Sequence, residues 1–127
     1  MGFRRVRLSW RFGLLIVLLA IALAANAEYQ IVEIERPFRA HHLAGVVVDP
    51  SGATVAGAMV DDCDPTFSRV LGSATSDADG NFAFPLAKIG STHYLSFHAR
   101  GFNPLRITVK VRYFAREKLI VKLPIGG

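Results

Sequence analysis

An all-β sandwich is the fold class this sequence predicts, and three observations carry the prediction. Along Leu105–Val111 the apolar residues Leu105, Ile107, Val109 and Val111 alternate without a break with Arg106, Thr108 and Lys110. That is the period of a strand with one buried and one wet face. Turn-forming clusters recur roughly every 8–12 residues, which leaves strands of sandwich length between them. After residue 27 no stretch sustains the 3.6-residue period of an amphipathic helix.

The first residues are of another kind. Arg4, Arg5, Arg7 and Arg11 precede an uncharged, mostly aliphatic run over residues 12–25, and Ala25-Asn26-Ala27 leads into Glu28. A basic start, an apolar run and small residues at the two positions a signal peptidase reads make residues 1–27 a secretory signal, with cleavage after Ala27. The run holds 14 residues, short of the roughly 20 a bilayer span needs. The alternative is an uncleaved membrane anchor over residues 12–25, with Trp10 at the interface. In either case the chain from residue 28 onward is expected across the membrane, secreted or periplasmic.

All ten acidic residues lie after position 27, against eleven of the fifteen basic ones. The exported part is therefore nearly neutral, and the high isoelectric point gives no argument for a nucleic-acid partner. The single cysteine, Cys63, excludes a disulfide within the chain and a Cys-only metal site.

Residues 28–42 mix Tyr29, Ile31, Val32 and Ile34 with charges and Pro37, and are expected to be a tether or an added edge strand. Residues 43–48 are β-branched and short, hence a strand. Asp49-Pro50-Ser51-Gly52 is a turn, in which Pro fixes φ at the second position and Gly closes it. Residues 55–62 form the next strand, opening on small residues that suit close backbone approach. Asp61-Asp62-Cys63-Asp64-Pro65 breaks the apolar pattern and is expected to become a loop.

Residues 70–75 are a short strand. The polar stretch Thr75-Ser76-Asp77-Ala78-Asp79-Gly80-Asn81 is a turn that delivers Phe82 and Phe84 to one face. Pro85 ends that run, and residues 86–92 connect to a strand over 94–99. Arg100-Gly101-Phe102 turns the chain into residues 105–112, and residues 119–123 alternate again as a last strand. Phe82, Phe84, Phe97, Phe102 and the aliphatic residues of the last two strands are the expected core.

These residues form a series. Leu43-x-Gly45-x-Val47-x-Asp49-Pro-Ser-Gly52 is followed by Val55-x-Gly57-Ala58-x-Val60 and by Thr75-x-Asp77-x-x-Gly80-x-Phe82-x-Phe84. Leu95-x-Phe97-x-Ala99-x-Gly101-Phe102 and Leu119-x-Val121-x-Leu123 complete it. In this order and spacing, residues 43–124 resemble the carboxypeptidase regulatory-like domain family. The resemblance implies a transthyretin-like, seven-stranded Greek-key sandwich. It also implies a non-catalytic accessory module, related in some members to a carbohydrate-binding-like fold. It carries over no binding residue, because the shared positions are turn and core positions. One position departs: Asp62 stands where an inward apolar residue belongs, so that strand is expected to be cut short or bulged.

Side chains that could carry chemistry are few. Asp77, Asp79 and Asn81 with Gly80 resemble the front of a calcium loop. Counting from Asp77, however, glycine falls at the fourth position and Lys88 at the twelfth, where an EF-hand needs a sixth-position Gly and a twelfth-position Glu. A turn is the expected role, with the three residues as weak metal candidates and no cofactor. His41 and His42 are adjacent, and His93 and His98 have opposite parity, so neither pair chelates a metal from one strand; all four are expected at the surface or an edge. Neighbouring carboxylates disfavour the Cys63 thiolate, and no nucleophile–base set is apparent, so no catalytic residue is assigned.

Arg106, Lys110, Arg112, Lys118 and Lys122 share outward parity and would make a basic stripe if the last two strands pair. Tyr94 and His98 share a face. Tyr94, His98, Arg106 and Lys110 are therefore the candidate ligand face. The expected function is an exported, non-catalytic module for protein interaction or scaffolding. A carbohydrate- or envelope-polymer-binding module is the alternative. The partner is a protein or glycan of the envelope or extracellular space, and a membrane only if the N-terminal segment stays uncleaved.

Overall fold

The computed structural model describes residues 30–115 and 119–126; the expected signal segment over residues 1–27 and Lys118 lie outside them. Nine strands run through the described residues: β1 (Val32–Glu33), β2 (Phe38–Ala40), β3 (Ala44–Val48), β4 (Met59–Cys63), β5 (Val70–Thr75), β6 (Asn81–Ala83), β7 (Thr92–His98), β8 (Leu105–Val111) and β9 (Ile120–Lys122). They form two sheets. The larger has the order β1-β8-β7-β4-β5, with β2 also on β8, and the smaller has the order β6-β3-β9.

The core lies between the sheets. Val60, Leu95, Phe97, Leu105, Ile107, Val109 and Val111 from the larger sheet meet Val47, Phe82 and Val121 from the smaller, with Leu43, Leu119 and Leu123 beside them. The Phe82 and Phe97 rings cross-link the layers edge to face, 5.4 Å between centroids at 77°, the geometry the ring quadrupoles favour. The period-two pattern thus translates directly into burial, and β8 reads buried and half-buried in strict alternation.

The count of nine corrects the expected seven. The additional pair comes from residues 32–40, where Val32, Phe38 and Ala40 align with Leu105, Val109 and Val111 in parallel register along β8. Val32 N–H donates to Pro104 O at 2.8 Å and Ile34 N–H to Arg106 O at 3.0 Å. This covers an edge that would otherwise present unpaired backbone groups.

Three further expectations are corrected. First, β4 begins at Met59, not at residue 55. Ser76 is buried, and its Oγ accepts the Ala58 N–H at 2.8 Å and donates to Val55 O at 2.7 Å. Those bonds hold residues 55–58 in a turn. Second, β4 does not stop at the acidic cluster. It runs through Asp61 and Asp62 to Cys63, and of the two outcomes expected at Asp62 the bulge is the one found, as a register shift against β5 between Asp62 and Cys63. Third, β8 and β9 belong to different sheets, so Lys122 is separated from Arg106 and Lys110 and the basic stripe does not form.

The Asp77 turn is built as its residues suggest. Asp77 Oδ1 accepts the N–H groups of Asp79 and Asn81, both at 2.9 Å, and Gly80 takes a φ of 79°. A Cβ at Gly80 would lie 2.7 Å from Val47 O, so only glycine lets the turn rest on β3. Val47 N–H donates to Gly80 O at 2.8 Å, which sets the register that places Phe82 in the core.

Strand direction gives the sandwich two ends. At the Val111 end Arg112 N–H bonds Ala40 O, Gly90 N–H bonds Val111 O and Phe84 N–H bonds Leu43 O. Residues 41–43, 64–69, 84–91 and 112–115 therefore gather there. Residues 49–57, 76–80 and 99–104 gather at the other end.

Candidate functional site: the outer face of the six-stranded sheet

With Leu95, Phe97, Leu105, Ile107 and Val109 turned inward, the intervening residues of β7 and β8 must face out. Register fixes their neighbours. Arg106, Ser96, Asp61 and Ser73 form one row across four strands, and Thr108, Tyr94 and Cys63 form the next. Lys110 lies opposite Thr92, and His98 opposite Met59. The structure thus sets Tyr94, His98, Arg106 and Lys110 on one face, with Arg106 and Tyr94 in adjacent rows and His98 and Lys110 towards opposite ends.

The face contains residues that sequence reasoning did not single out. Ser73 Oγ donates to Asp61 Oδ1 at 2.7 Å. His98 Nε2 lies 2.9 Å from Ser96 Oγ and 3.8 Å from Asp61 Oδ2. Phe67, from the β4–β5 loop, folds over the sheet. Its ring stands edge-on to Tyr94 at 6.0 Å, and the Arg106 guanidinium carbon sits 4.8 Å from its centroid, a cation–π distance.

Phe67 takes a φ of 58°, a left-handed conformation that costs free energy in a bulky residue and persists only when its surroundings enforce it. Asp64 enforces it. Its Oδ1 accepts the N–H groups of Ser68 and Arg69 at 2.9 and 3.3 Å and the Thr66 hydroxyl at 3.1 Å, and its Oδ2 accepts the Ser68 hydroxyl at 3.0 Å. The Ser68 N–H first, and then the other donors, hold the Asp64 carboxyl below the usual aspartate value, with slight burial opposing them. A polar loop containing one aromatic residue was the only sequence signal for this device.

Cys63 shares this outward parity yet is buried, in a strand and not in the expected loop. Burial first, then the charges of Asp61, Asp62 and Asp64, push its thiol above the ordinary value, against a weaker pull from Arg106.

On the inner side, Asp62 and His93 find each other. His93 Nδ1 is 2.8 Å from Asp62 Oδ2, both side chains are 16% exposed, and Nε2 is 2.7 Å from Ser91 Oγ. His93 is therefore a partly buried histidine, and the surface placement expected for it is corrected. Acid, imidazole and hydroxyl in series are the order of a nucleophile relay. Here, however, the Ser91 hydroxyl donates to Lys88 O. The N–H groups of Gly90 and Ser91 are engaged by Val111 O and Lys88 O, which leaves neither to serve as an oxyanion donor. The series fastens the 84–91 loop to the sheet.

Asp77, Asp79 and Asn81 lie at the end away from these groups, where Asp77 Oδ1 is engaged by two backbone donors. Among the described residues no three His, Cys, Asp or Glu side chains are grouped to hold a metal ion. A last feature escaped the sequence altogether. His42, His41, Tyr113 and Phe114 form a run of edge-to-face rings with centroids 4.5, 5.6 and 5.1 Å apart. His41 and His42 line a shallow, uncharged groove of about 440 Å³ with Asn81, Ala44, Val46 and Phe82.

Residues 42–124 match the family model of the carboxypeptidase regulatory-like domain. The chain belongs to this family. No curated protein matches the sequence. The matched span takes in β3 to β9 and leaves β1 and β2 outside it, so the strands that cover β8 precede the regulatory-like domain. Such domains are β-sandwich modules that are generally non-catalytic.

Proposed function

We propose that this regulatory-like domain is an exported, non-catalytic module for protein interaction or scaffolding in the cell envelope or outside the cell, and that its contact surface is the outer face of the six-stranded sheet. The stack of Arg106, Phe67 and Tyr94 on that face carries the reading. Arginine and tyrosine are the side chains most enriched where binding energy concentrates in protein interfaces. A loop that holds Phe67 in a left-handed conformation to build the stack presents it pre-organised. Asp61 and Lys110 on the same face supply charges of both signs, which suits selection among partners.

The test is affinity capture from envelope fractions with wild type, Arg106→Ala and Phe67→Ala, all shown to keep their thermal midpoints. A protein held saturably by wild type and lost by both variants supports the reading. Equal capture by all three refutes it. Export rests on the pattern of residues 1–27, and mass spectrometry of the protein from the envelope or medium should give a chain starting at Glu28.

A second reading, a carbohydrate- or envelope-polymer-binding module, is favoured by the exposed Tyr113 and Phe114 rings next to the uncharged groove. Apolar ring faces with His and Asn donors suit a sugar. Tyr94 is already packed against the Phe67 ring, so in this reading the stacking platform is Tyr113 and Phe114 in place of Tyr94 and His98. Saturable glycan-array binding removed by Tyr113→Ala would support this reading, and binding indifferent to that change would count against it.

A further inference from the structure

We infer that the Val111 end of the sandwich docks on an anionic lipid bilayer surface, with Leu86 and Phe114 entering the membrane interface. Leu86 is 91% exposed, Phe114 90%, Tyr113 65% and Ile89 53%. They stand on two loops drawn together by the Gly90 N–H to Val111 O and Val111 N–H to Ser91 O bonds, and by Arg112 Nη1 donating to Ser91 O. Large apolar side chains so fully in water, on neighbouring loops at one end, gain by entering the headgroup–acyl boundary. A tyrosine beside them suits the interface.

Charge distinguishes the two ends in the same sense. Among the described residues, Arg69, Lys88 and Arg112 stand at the Val111 end against two acids: Asp64, whose carboxylate is turned into its own loop by four hydrogen bonds, and Asp62, which is paired with His93. The opposite end carries Asp49, Asp77 and Asp79 against Arg100. The field of the molecule therefore points its apolar end at an anionic surface. A soluble anionic polymer would satisfy the bases and leave Leu86 and Phe114 in water, which favours lipid. Docking by this end leaves the outer sheet face clear, so the inference stands apart from the proposed protein contact.

The test uses the full chain carrying Cys63→Ser and an environment-sensitive dye at Pro85→Cys, next to Leu86, or at Ala56→Cys, exposed at the other end. Vesicles of phosphatidylethanolamine with phosphatidylglycerol are titrated in, with phosphatidylcholine vesicles in parallel. The expected result is a blue shift at position 85 with the anionic vesicles, weak with phosphatidylcholine and absent at position 56. Changing Leu86→Ser and Phe114→Ser together should weaken that response about a hundredfold, and Lys88→Glu about tenfold. Because the readout is local, a chain held only through residues 12–25 gives no shift at position 85. No shift there, equal shifts at positions 85 and 56, or a shift unchanged by the paired Ser substitutions overturns the inference. A protein partner that needs Leu86 and Phe114, with vesicles silent, overturns it in favour of a protein site.

Discussion

Asp62→Ala tests whether an inward-facing acid is a structural member of this sandwich. Asp62 occupies a core-facing position of β4 and bonds His93 Nδ1 at 2.8 Å, with each side chain 16% exposed. A hydrogen bond to a charged group contributes roughly 1.5–3 kcal/mol. Residual solvent access places this one in the lower half of that range, so the substitution should cost about 2 kcal/mol. For a domain of this size that lowers the thermal midpoint by roughly 8–16 °C. Urea titrations of Asp62→Ala, His93→Ala and the double variant give the coupling, expected at about 1–2 kcal/mol because the groups are in contact. Asp62→Leu with His93→Leu should come close to wild type, since apolar replacement of a partly buried polar pair removes its desolvation cost as well. A single variant within about 0.5 kcal/mol of wild type, or an additive cycle, would refute the reasoning.

Phe82→Ala removes a ring that joins the two sheets and should cost roughly 3–5 kcal/mol; an unchanged midpoint would show that Phe82 is dispensable to the core. Gly45→Ala drives a Cβ against the backbone carbonyl of Leu119, next to the Val46 N–H to Leu119 O bond of 3.0 Å. It should destabilise by about 1–3 kcal/mol, read by urea titration, and a neutral result would mean that β3 and the Leu119 segment separate freely. Cys63, whose thiol is raised by burial and neighbouring carboxylates, should alkylate far more slowly in the folded protein than in urea at pH 8. The raised group binds its proton more tightly in the native state, so its contribution to stability is full below 9.0 and declines as pH rises beyond that. Cys63→Ser should flatten that decline, and an identical alkaline profile would sink the assignment.

The fold was legible because it depends on local rules that the sequence states outright. Alternation in β8, the Asp77–Gly80 turn and the placing of Phe82 need only period and turn chemistry. Partnerships across strands were not legible. Asp62 was recognised as an inward position, but its partner is 31 residues away, and a single sequence does not give the register of β4 against β7. For the same reason His93 was expected at the surface. The outer face was half legible. Parity grouped Tyr94 with His98 and Arg106 with Lys110, but joining the pairs requires β7 and β8 to be adjacent. Phe67 reaches the face through a loop with no period at all. The basic stripe failed because it assumed that sequence neighbours β8 and β9 pair, whereas the chain crosses to the other sheet between them.

The N-terminal strands bear on the same face. Glu33 lies opposite Arg106 and Arg39 opposite Lys110, so two of the four candidate ligand residues have their outer neighbours supplied by a segment outside the family match. The matched domain supplies Tyr94 and His98 with their floor of Asp61, Ser73 and Ser96. The preceding segment sets the charge at the β8 margin, an acid beside one base and a second base beside the other. Under the proposed function, an edge strand that covers β8 also shapes what that margin of the surface recognises. Whatever contacts Arg106 and Lys110 must accommodate residues 33–39 as well. The specificity of this module is thus expected to lie in the segment that the family match leaves out as much as in the sandwich itself.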